Sequence, residues 1–328
     1  MRHYDLWLER YQQRSKQIIE VLERHHATIS EIKERIPLNE IITPLEDYGG
    51  SMPSSMCFVD GGEGYRELLG AGLYFIRATS LLMSDNRGED FIRDVDLGVI
   101  SYDDNTKERV EFLREAMEVD VALKTIKEHH PEYVFLDGSL YVKASRKPIE
   151  CAEYSAYVKK FQEFLKTSER EGIRLVGVSE DSKSRLLKQY LSVKYSVSFP
   201  DFFTDPTILD AMVSEKKYST IKLKLKKDGT QYTGGYVKLH ELANPLRVDV
   251  AGGEQNFDDA ISIISMLSRG SAHYGYPLPL YLAHLDAKIN AKHAEWSSNR
   301  LKHHALKENP ELGAALFGRT RRDLRPGN

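Results

Sequence analysis

The sequence is poor in cysteine and has no long apolar run. Its two cysteines, Cys57 and Cys151, lie far apart in a chain of 328 residues, which excludes a disulfide framework and a cysteine-ligated zinc site. No run of about 18 apolar residues occurs, so no membrane-spanning helix is expected. The first residues lack the apolar core of a secretory signal. We therefore expect a protein of the reducing cytoplasm.

The sequence also lacks an excess of positive charge. Its net charge is −3 and its pI is about 6.4, so whole-chain electrostatics do not predict nucleic-acid binding. The basic residues are clustered instead, and the two clusters are Lys222, Lys224, Lys226 and Lys227, and Arg319, Arg321, Arg322 and Arg325. Each cluster could neutralise phosphates, or could be a solvated strand edge and a solvated tail.

The apolar pattern predicts an α/β fold. Residues 1–36 have the spacing of a helix, whose apolar stripe packs either on the chain's own core or on a second subunit. Strands are predicted at 56–59, 72–83, 95–101, 133–136, 174–178, 221–225, 236–239 and 246–250. Helices are predicted at 106–130, 150–171, 182–191, 256–269 and 280–294. A meander followed by alternating helices and strands indicates a three-layer α/β domain behind a helical extension.

Two of the predicted strands end in the same short motif. Asp60 and Asp137 each follow a continuously apolar run and precede a glycine. If the two strands are parallel neighbours, both carboxylates lie at the C-terminal edge of the sheet, where ligands of such sheets bind. Adjacent carboxylates repel unless a cation lies between them, and oxygen ligands suit Mg²⁺ or Mn²⁺. Asp-Gly is also a common turn after a strand, so both interpretations stay open.

A second constellation follows near the C-terminal end. Pro277 and Pro279 predict a helix start, which places His284 about one turn into that helix and Tyr276 just before it. A histidine there could ligate a metal or donate to a phosphate oxygen, although a lone histidine is more often structural. A third acid for a two-metal site could come from the helix at 106–130, which offers Glu115, Glu118 and Asp120. Periodicity does not choose among these three.

These motifs together resemble the NurA nuclease family. The resemblance is carried by residues 58–62, 114–122, 136–140, 177–184, 246–249 and 275–284, in family order along the chain. It implies an RNase H-like mixed sheet flanked by helices. The implied domains are a helical extension at 1–45 for packing or dimerisation, a nuclease domain at 46–310 and a basic tail at 311–328.

The resemblance also implies a site. Its catalytic residues would be Asp60, Glu118, Asp137, Tyr276 and His284, and all of these except the tyrosine would ligate metal. Glu118 matches because Arg114 and Ala122 stand four residues to either side of it. Two Mn²⁺ or Mg²⁺ ions are expected, with in-line hydrolysis of the phosphodiester.

The implied activity is DNA cleavage. The family acts as a 5′→3′ exonuclease on single- and double-stranded DNA and as an endonuclease on single strands, in break repair or defence. It forms a homodimer that sits on a hexameric HerA-type ATPase ring. Independently of the resemblance, Lys222, Lys224 and Arg247 are candidates for sequence-independent contacts with the DNA backbone.

The sequence departs from the family pattern at two positions. Gly62 stands where the family often has serine, and Glu180 stands where a lysine is expected. Two other functions fit parts of the pattern. An ATP-binding enzyme of the actin and sugar-kinase type would use the Asp-Gly loops for phosphate, and a non-catalytic subunit would only dock on a translocase ring.

Overall fold

The computed structural model describes residues 3–45, 51–68, 71–85, 88–215, 217–269, 275–311 and 313. The helices are α1 (His3–Arg35), α2 (Thr106–His129), α3 (Leu140–Ala144), α4 (Ala152–Arg170), α5 (Leu186–Tyr195), α6 (Asp205–Met212), α7 (Glu254–Leu267), α8 (Leu278–Ala287) and α9 (Ala291–Glu308), with a 3-10 helix at Leu38–Glu40. The strands are β1 (Ile42–Pro44), β2 (Ser55–Leu68), β3 (Ala71–Ser84), β4 (Gly88–Ser101), β5 (Tyr133–Asp137), β6 (Arg174–Ser179), β7 (Tyr218–Thr220), β8 (Leu223–Lys227), β9 (Thr230–Lys238) and β10 (Leu246–Ala251). Across these ranges, no helix combines the length and apolar character needed to cross a membrane.

The strands of the described residues form one mixed sheet in the order β1-β7-β9-β10-β6-β5-β2-β3-β4, and β8 also pairs with β9. The long strands β2, β3 and β4 form an antiparallel meander. At the centre, β5 lies between β2 and β6 and is parallel to both, and β10 runs antiparallel to β6. The predicted α/β class, with an initial meander and a mixed sheet flanked by helices, is confirmed.

Helices cover both faces of this sheet. On one face α2 and α4 pack against the side chains of Cys57 and Val59 of β2. On the other face α7 and α8 pack against Met56 and Phe58 of the same strand. This alternation buries the centre of the sheet on both sides, which explains the continuous apolar run that precedes Asp60.

The N-terminal helix α1 is buried only near its C-terminal end. Ile32 and the following Ile36 are buried in a third apolar cluster, which α5 and α6 complete over the β7–β9 end of the sheet. Earlier in the helix, Tyr4, Trp7 and Tyr11 are 67%, 60% and 56% exposed. The helix therefore packs on its own chain at one end and presents apolar side chains to the outside at the other.

Several predicted boundaries are wrong. β4 begins at Gly88 and not at 95, β9 begins at Thr230 and not at 236, and the helix predicted at 182–191 is α5, Leu186–Tyr195. Strand β2 does not end at Asp60 but continues to Leu68, because the segment pairs with β3 along its whole length. The single helix predicted at 280–294 is two helices, α8 and α9, separated at 288–290. The short elements α3, α6, β1 and β7 were not predicted. The predicted domain boundaries stay a prediction, and the basic cluster of the tail lies outside the described residues.

Candidate metal centre

The parallel pairing of β2 and β5 brings Asp60 and Asp137 together. Val59 is in register with Leu136, so the next residue on each strand is one of the two aspartates. Asp60 is 5% exposed, and its Oδ1 accepts a hydrogen bond from the Gly61 backbone N–H at 2.7 Å. The Asp-Gly pair at 60 and 61 is therefore part of a continuing strand and not a turn.

His284 reaches the same point from α8, which lies across β2 and β3. Its Nδ1 is 2.8 Å from Oδ2 of Asp60. The hydrogen bond to Asp60 raises the pKa of His284 above the usual value for histidine. His284 lies in the last turn of α8 and not one turn after its start, so the position predicted for it within the helix is wrong.

One bidentate ion pair and one hydroxyl hold α8 in place over the sheet. Asp286, two residues after His284, accepts from Nε and Nη2 of Arg93 on β4 at 2.7 and 2.9 Å. It also accepts from the Thr79 hydroxyl on β3 at 2.7 Å. These contacts fix the helix that carries the histidine. No sequence motif indicated them, because the three residues are distant along the chain.

The side chains of Asp60, Asp137 and His284 form the candidate metal site. One ligand atom from each lies within 4.8 Å of the other two. Burial and the neighbouring Asp60 carboxylate raise the pKa of Asp137 to about 7. The buried Asp60 carboxylate, the half-buried Asp137 carboxylate and an imidazole are donors that suit Mn²⁺ and Mg²⁺ ions, and a cation would relieve the repulsion between the carboxylates.

Tyr276 lies beside the aspartates. It is 6% exposed, and its hydroxyl donates to Oδ1 of Asp137 at 3.3 Å. Burial and the nearby carboxylates Asp137 and Asp60 raise its pKa well above the usual value for tyrosine, so the hydroxyl keeps its proton. Glu180, at an exposed position just after β6, contributes in the same direction.

Glu118 approaches the site from α2 but is not one of the three clustered donors among the described residues. It is 1% exposed, and a Cβ atom at Gly61 would lie 2.5 Å from its Oε1. Its carboxylate is ion-paired with Arg114 and with Lys143. The other two acids of the helix are paired elsewhere, Glu115 with Arg146 and Asp120 with Lys160.

Sequence reasoning missed Lys143. The residue is 8% exposed and belongs to α3, which starts directly after the Asp137-Gly138-Ser139 motif. A lysine six residues after a predicted ligand was the only available signal, and solvated lysines have the same spacing.

None of the three predicted DNA contacts belongs to the cluster of Asp60, Asp137 and His284. Arg247 is 0% exposed and pairs with Asp249 at 2.7 Å, so the prediction that it contacts DNA is wrong. Its partner Asp249 accepts from Ser139, the residue that caps α3. Lys222 lies just before β8 and pairs with Asp258 of α7. Lys224 lies in β8 and pairs with Glu254 of the same helix. β8 is separated from β2 by β9, β10, β6 and β5.

Comparison with known proteins gives consistent matches. A family model described as the NurA domain matches residues 54–289. A DNA double-strand break repair nuclease NurA from Saccharolobus solfataricus is 26% identical over 276 residues, which is 72% of this chain and 77% of the relative. A protein of the same description from Sulfolobus acidocaldarius is 23% identical over 297 residues, 82% of this chain and 87% of that one.

Solved structures show the same fold. The crystal structure of the NurA nuclease from Sulfolobus solfataricus superposes with a TM-score of 0.70 at 20% identity, covering 94% of this chain and 98% of that one. The crystal structure of NurA bound to dAMP and manganese superposes with a TM-score of 0.61 at 14% identity, covering 95% and 99%. At these identities the structures establish the fold alone.

Proposed function

The chain belongs to the NurA family of DNA nucleases, and from that membership we propose that it hydrolyses DNA phosphodiester bonds at the edge formed by β2 and β5. The observation that carries the proposal is the convergence of Asp60, Asp137 and His284 within 4.8 Å. Three elements distant along the chain supply these donors. Two carboxylates held this close together repel each other unless a cation lies between them.

The proposed cofactor is Mn²⁺ or Mg²⁺, held by Asp60, Asp137 and His284. A bound divalent ion supplies a water of lowered pKa and positive charge against the phosphate oxygens. The three clustered donors can hold one ion. A second ion would need Glu118 as a ligand. Manganese in a NurA crystal structure of the same fold supports the choice of metal.

The surrounding side chains have separable tasks in this proposal. Asp60 holds His284 through the 2.8 Å contact, and Asp286 fixes the helix behind it. Tyr276 keeps its proton, so its hydroxyl is a donor that can pass from Asp137 to a phosphate oxygen and orient the scissile group. His284 is partly exposed, so its imidazole can ligate the ion from the mouth of the site.

The proposed context is DNA end processing. Cleavage with 5′→3′ polarity, a HerA-type hexameric ATPase as partner and a homodimer all follow from family membership as proposals. The exposed apolar side chains of α1 support a partner surface there. Lys222 and Lys224 stay predicted DNA contacts, although acids of α7 neutralise both. The cytoplasmic location also stays a prediction.

The test is cleavage of end-labelled single- and double-stranded DNA with and without Mn²⁺. Wild-type protein should cut DNA only when the ion is present. Asp60→Asn should reduce this activity more than about 100-fold, a larger loss than replacing a residue that only supports a metal ligand causes. Glu163→Gln, which neutralises an exposed acid on α4 instead, should cut like the wild type. Metal-independent cutting, or wild-type rates from Asp60→Asn, would reject the proposal. Partner binding without cleavage would favour the docking subunit.

A further inference from the structure

Both oxygens of the Glu118 carboxylate are already taken by fixed cations. Oε1 accepts from Nη1 of Arg114, which lies one turn earlier on α2. Oε2 accepts from Nζ of Lys143 at 2.5 Å. This carboxylate is 1% exposed, and each of its oxygens keeps a second lone pair. A divalent ion bound there would lie close to the ammonium of Lys143 or the guanidinium of Arg114, and the like charges would repel it.

The Lys143 side chain is built into the wall of the site. Its ammonium also lies 3.9 Å from Glu115. A Cβ atom at Gly138, where φ is +96°, would lie 3.2 Å from Cε of Lys143, so the lysine stem passes closely over the loop that follows Asp137. The backbone carbonyl of Lys143 accepts from the buried Tyr157 hydroxyl at 3.1 Å, which fixes the end of α3. The ammonium therefore has a defined position between α2 and the Asp137 loop.

The charges balance with a single divalent ion. Asp60, Asp137 and Glu118 bring three negative charges when ionised, and the paired cations Lys143 and Arg114 bring two positive charges. Two further acids contact these cations: Glu115 is balanced by Arg146, and the Glu63 side chain is 37% exposed, so solvent screens its charge. One divalent ion then leaves one positive charge, which matches one phosphodiester. Two ions would leave three positive charges in a largely buried site, a much poorer match for one substrate anion.

We propose that Lys143 takes the place of a second divalent ion: together with Arg114 it holds Glu118, and the site binds one metal ion per chain through Asp60, Asp137 and His284. Lys143 is a positioning residue, because it acts through Glu118. The inference rests on the proposed function only in assigning the site to phosphodiester cleavage. The number of bound ions is measured without any cleavage.

The test counts Mn²⁺ per chain by calorimetric titration and by elemental analysis of the gel-filtered protein. The wild type should bind one ion, and Lys143→Arg should also bind one. Lys143→Met frees an oxygen of Glu118 and should bind two. Lys238→Met is the matched control, because Lys238 is also 8% exposed and pairs with Asp210 at 3.5 Å outside the site. It should bind one ion.

Glu118→Gln gives a second arm that does not depend on the folding of Lys143→Met. It should still bind one Mn²⁺ within about threefold of the wild-type affinity, because Glu118 is not a ligand in this arrangement. Two ions in the wild type, one ion in folded Lys143→Met, or loss of the ion in Glu118→Gln would each overturn the inference. A chain that binds one ion but cuts no DNA would refute the proposed function alone, and a chain that cuts DNA with two ions would refute only the role of Lys143.

Discussion

In the metal-free protein the Asp137 carboxylate is repelled by the carboxylate of Asp60. Burial and the adjacent Asp60 carboxylate raise its pKa to about 7, above the value of an aspartate in an unfolded chain. A carboxyl whose pKa is raised on folding stabilises the fold while it is protonated, and that contribution is lost as the pH rises through the folded-state pKa. The loss begins near the unfolded-state pKa of about 4 and is complete above about 7, so the Asp137 carboxylate opposes folding fully at pH 8 and only in part at pH 5.

Asp137→Asn should accordingly stabilise the metal-free protein clearly more at pH 8 than at pH 5. The amide removes the charge and keeps the shape, so the gain in melting temperature at pH 8 should be roughly 2–6 °C. Thermal unfolding with a chelator at both pH values measures it. Added Mn²⁺ should reverse the order, because only the wild type keeps all three donors.

The control is Asp94→Asn, which removes an exposed carboxylate from β4. It should change the melting temperature by a similar small amount at both pH values. A stabilisation of Asp137→Asn that is equal at pH 5 and pH 8 would show that repulsion from Asp60 is not its cause.

The contact between β2 and α8 explains why this chain has glycine at position 62, where the family pattern often has serine. A Cβ atom at this position would lie 2.1 Å from the carbonyl oxygen of Ala287, the last residue of α8. The helix therefore packs directly on the strand backbone, one turn after His284. A serine here, which the family pattern often has, would require α8 to shift away from the sheet.

Gly62→Ser should therefore weaken both the fold and the metal site. Overpacking of this kind costs about 1–3 kcal/mol in the free energy of unfolding. The shift of α8 should lengthen the contact between His284 and Asp60, and it should lower Mn²⁺ affinity about 10-fold, as loss of a supporting contact does. Chemical denaturation and calorimetric titration measure the two effects.

Gly253→Ser is the matched control for this substitution. Nothing lies within 4 Å of a Cβ atom at Gly253, which is the N-cap of α7, and serine is a favourable residue there. Its stability should equal or exceed that of the wild type. A Gly62→Ser protein with wild-type stability and Mn²⁺ affinity would show that α8 moves without cost.

The sequence predicts those elements whose local pattern agrees with their environment in the fold. The helix α2 and the buried strand β5 were predicted within one residue of their ends, because apolar spacing and a following proline or glycine mark them. Strand β2 was cut short at Asp60, since three glycines at 61, 62 and 64 resemble a turn. Fourteen residues of pairing with β3 override that local preference.

The residues of the site also fall into those whose positions the sequence predicts and those whose positions it does not. The side-by-side position of Asp60 and Asp137 was expected on the condition that the two buried strands are parallel neighbours, and the parallel pairing of β2 with β5 meets that condition. The partners of Glu118 could not be predicted, because Lys143 reaches it through a tertiary contact between α3 and α2. Arg247 was misassigned for the same reason, since the alternating pattern of a strand does not reveal that both of its faces are covered.

For the whole molecule, the first half of α1 exposes apolar side chains that a single chain leaves in contact with solvent. The helix has 33 residues, about 50 Å in length, and its exposed residues Tyr4, Trp7, Tyr11 and Ile18 recur at the spacing of one helical face. Trp7 and Tyr11 stack with their ring centroids 5.6 Å apart. Such an exposed apolar face indicates a contact between chains, and most soluble oligomers are symmetric copies of one chain.

The double substitution Trp7→Glu and Ile18→Glu should therefore convert a homodimer into monomers and leave the Mn²⁺ site unchanged, because α1 contacts the remainder of the chain through its C-terminal end. Sedimentation equilibrium should show the mass of two 37.5 kDa chains for the wild type and of one chain for the variant. Gln13→Glu with Gln17→Glu is the control, since it adds the same two charges to the opposite, polar face of the helix. If both variants stay dimeric, α1 does not form the dimer contact. If the control also dissociates, added charge and not the loss of the apolar face separates the chains.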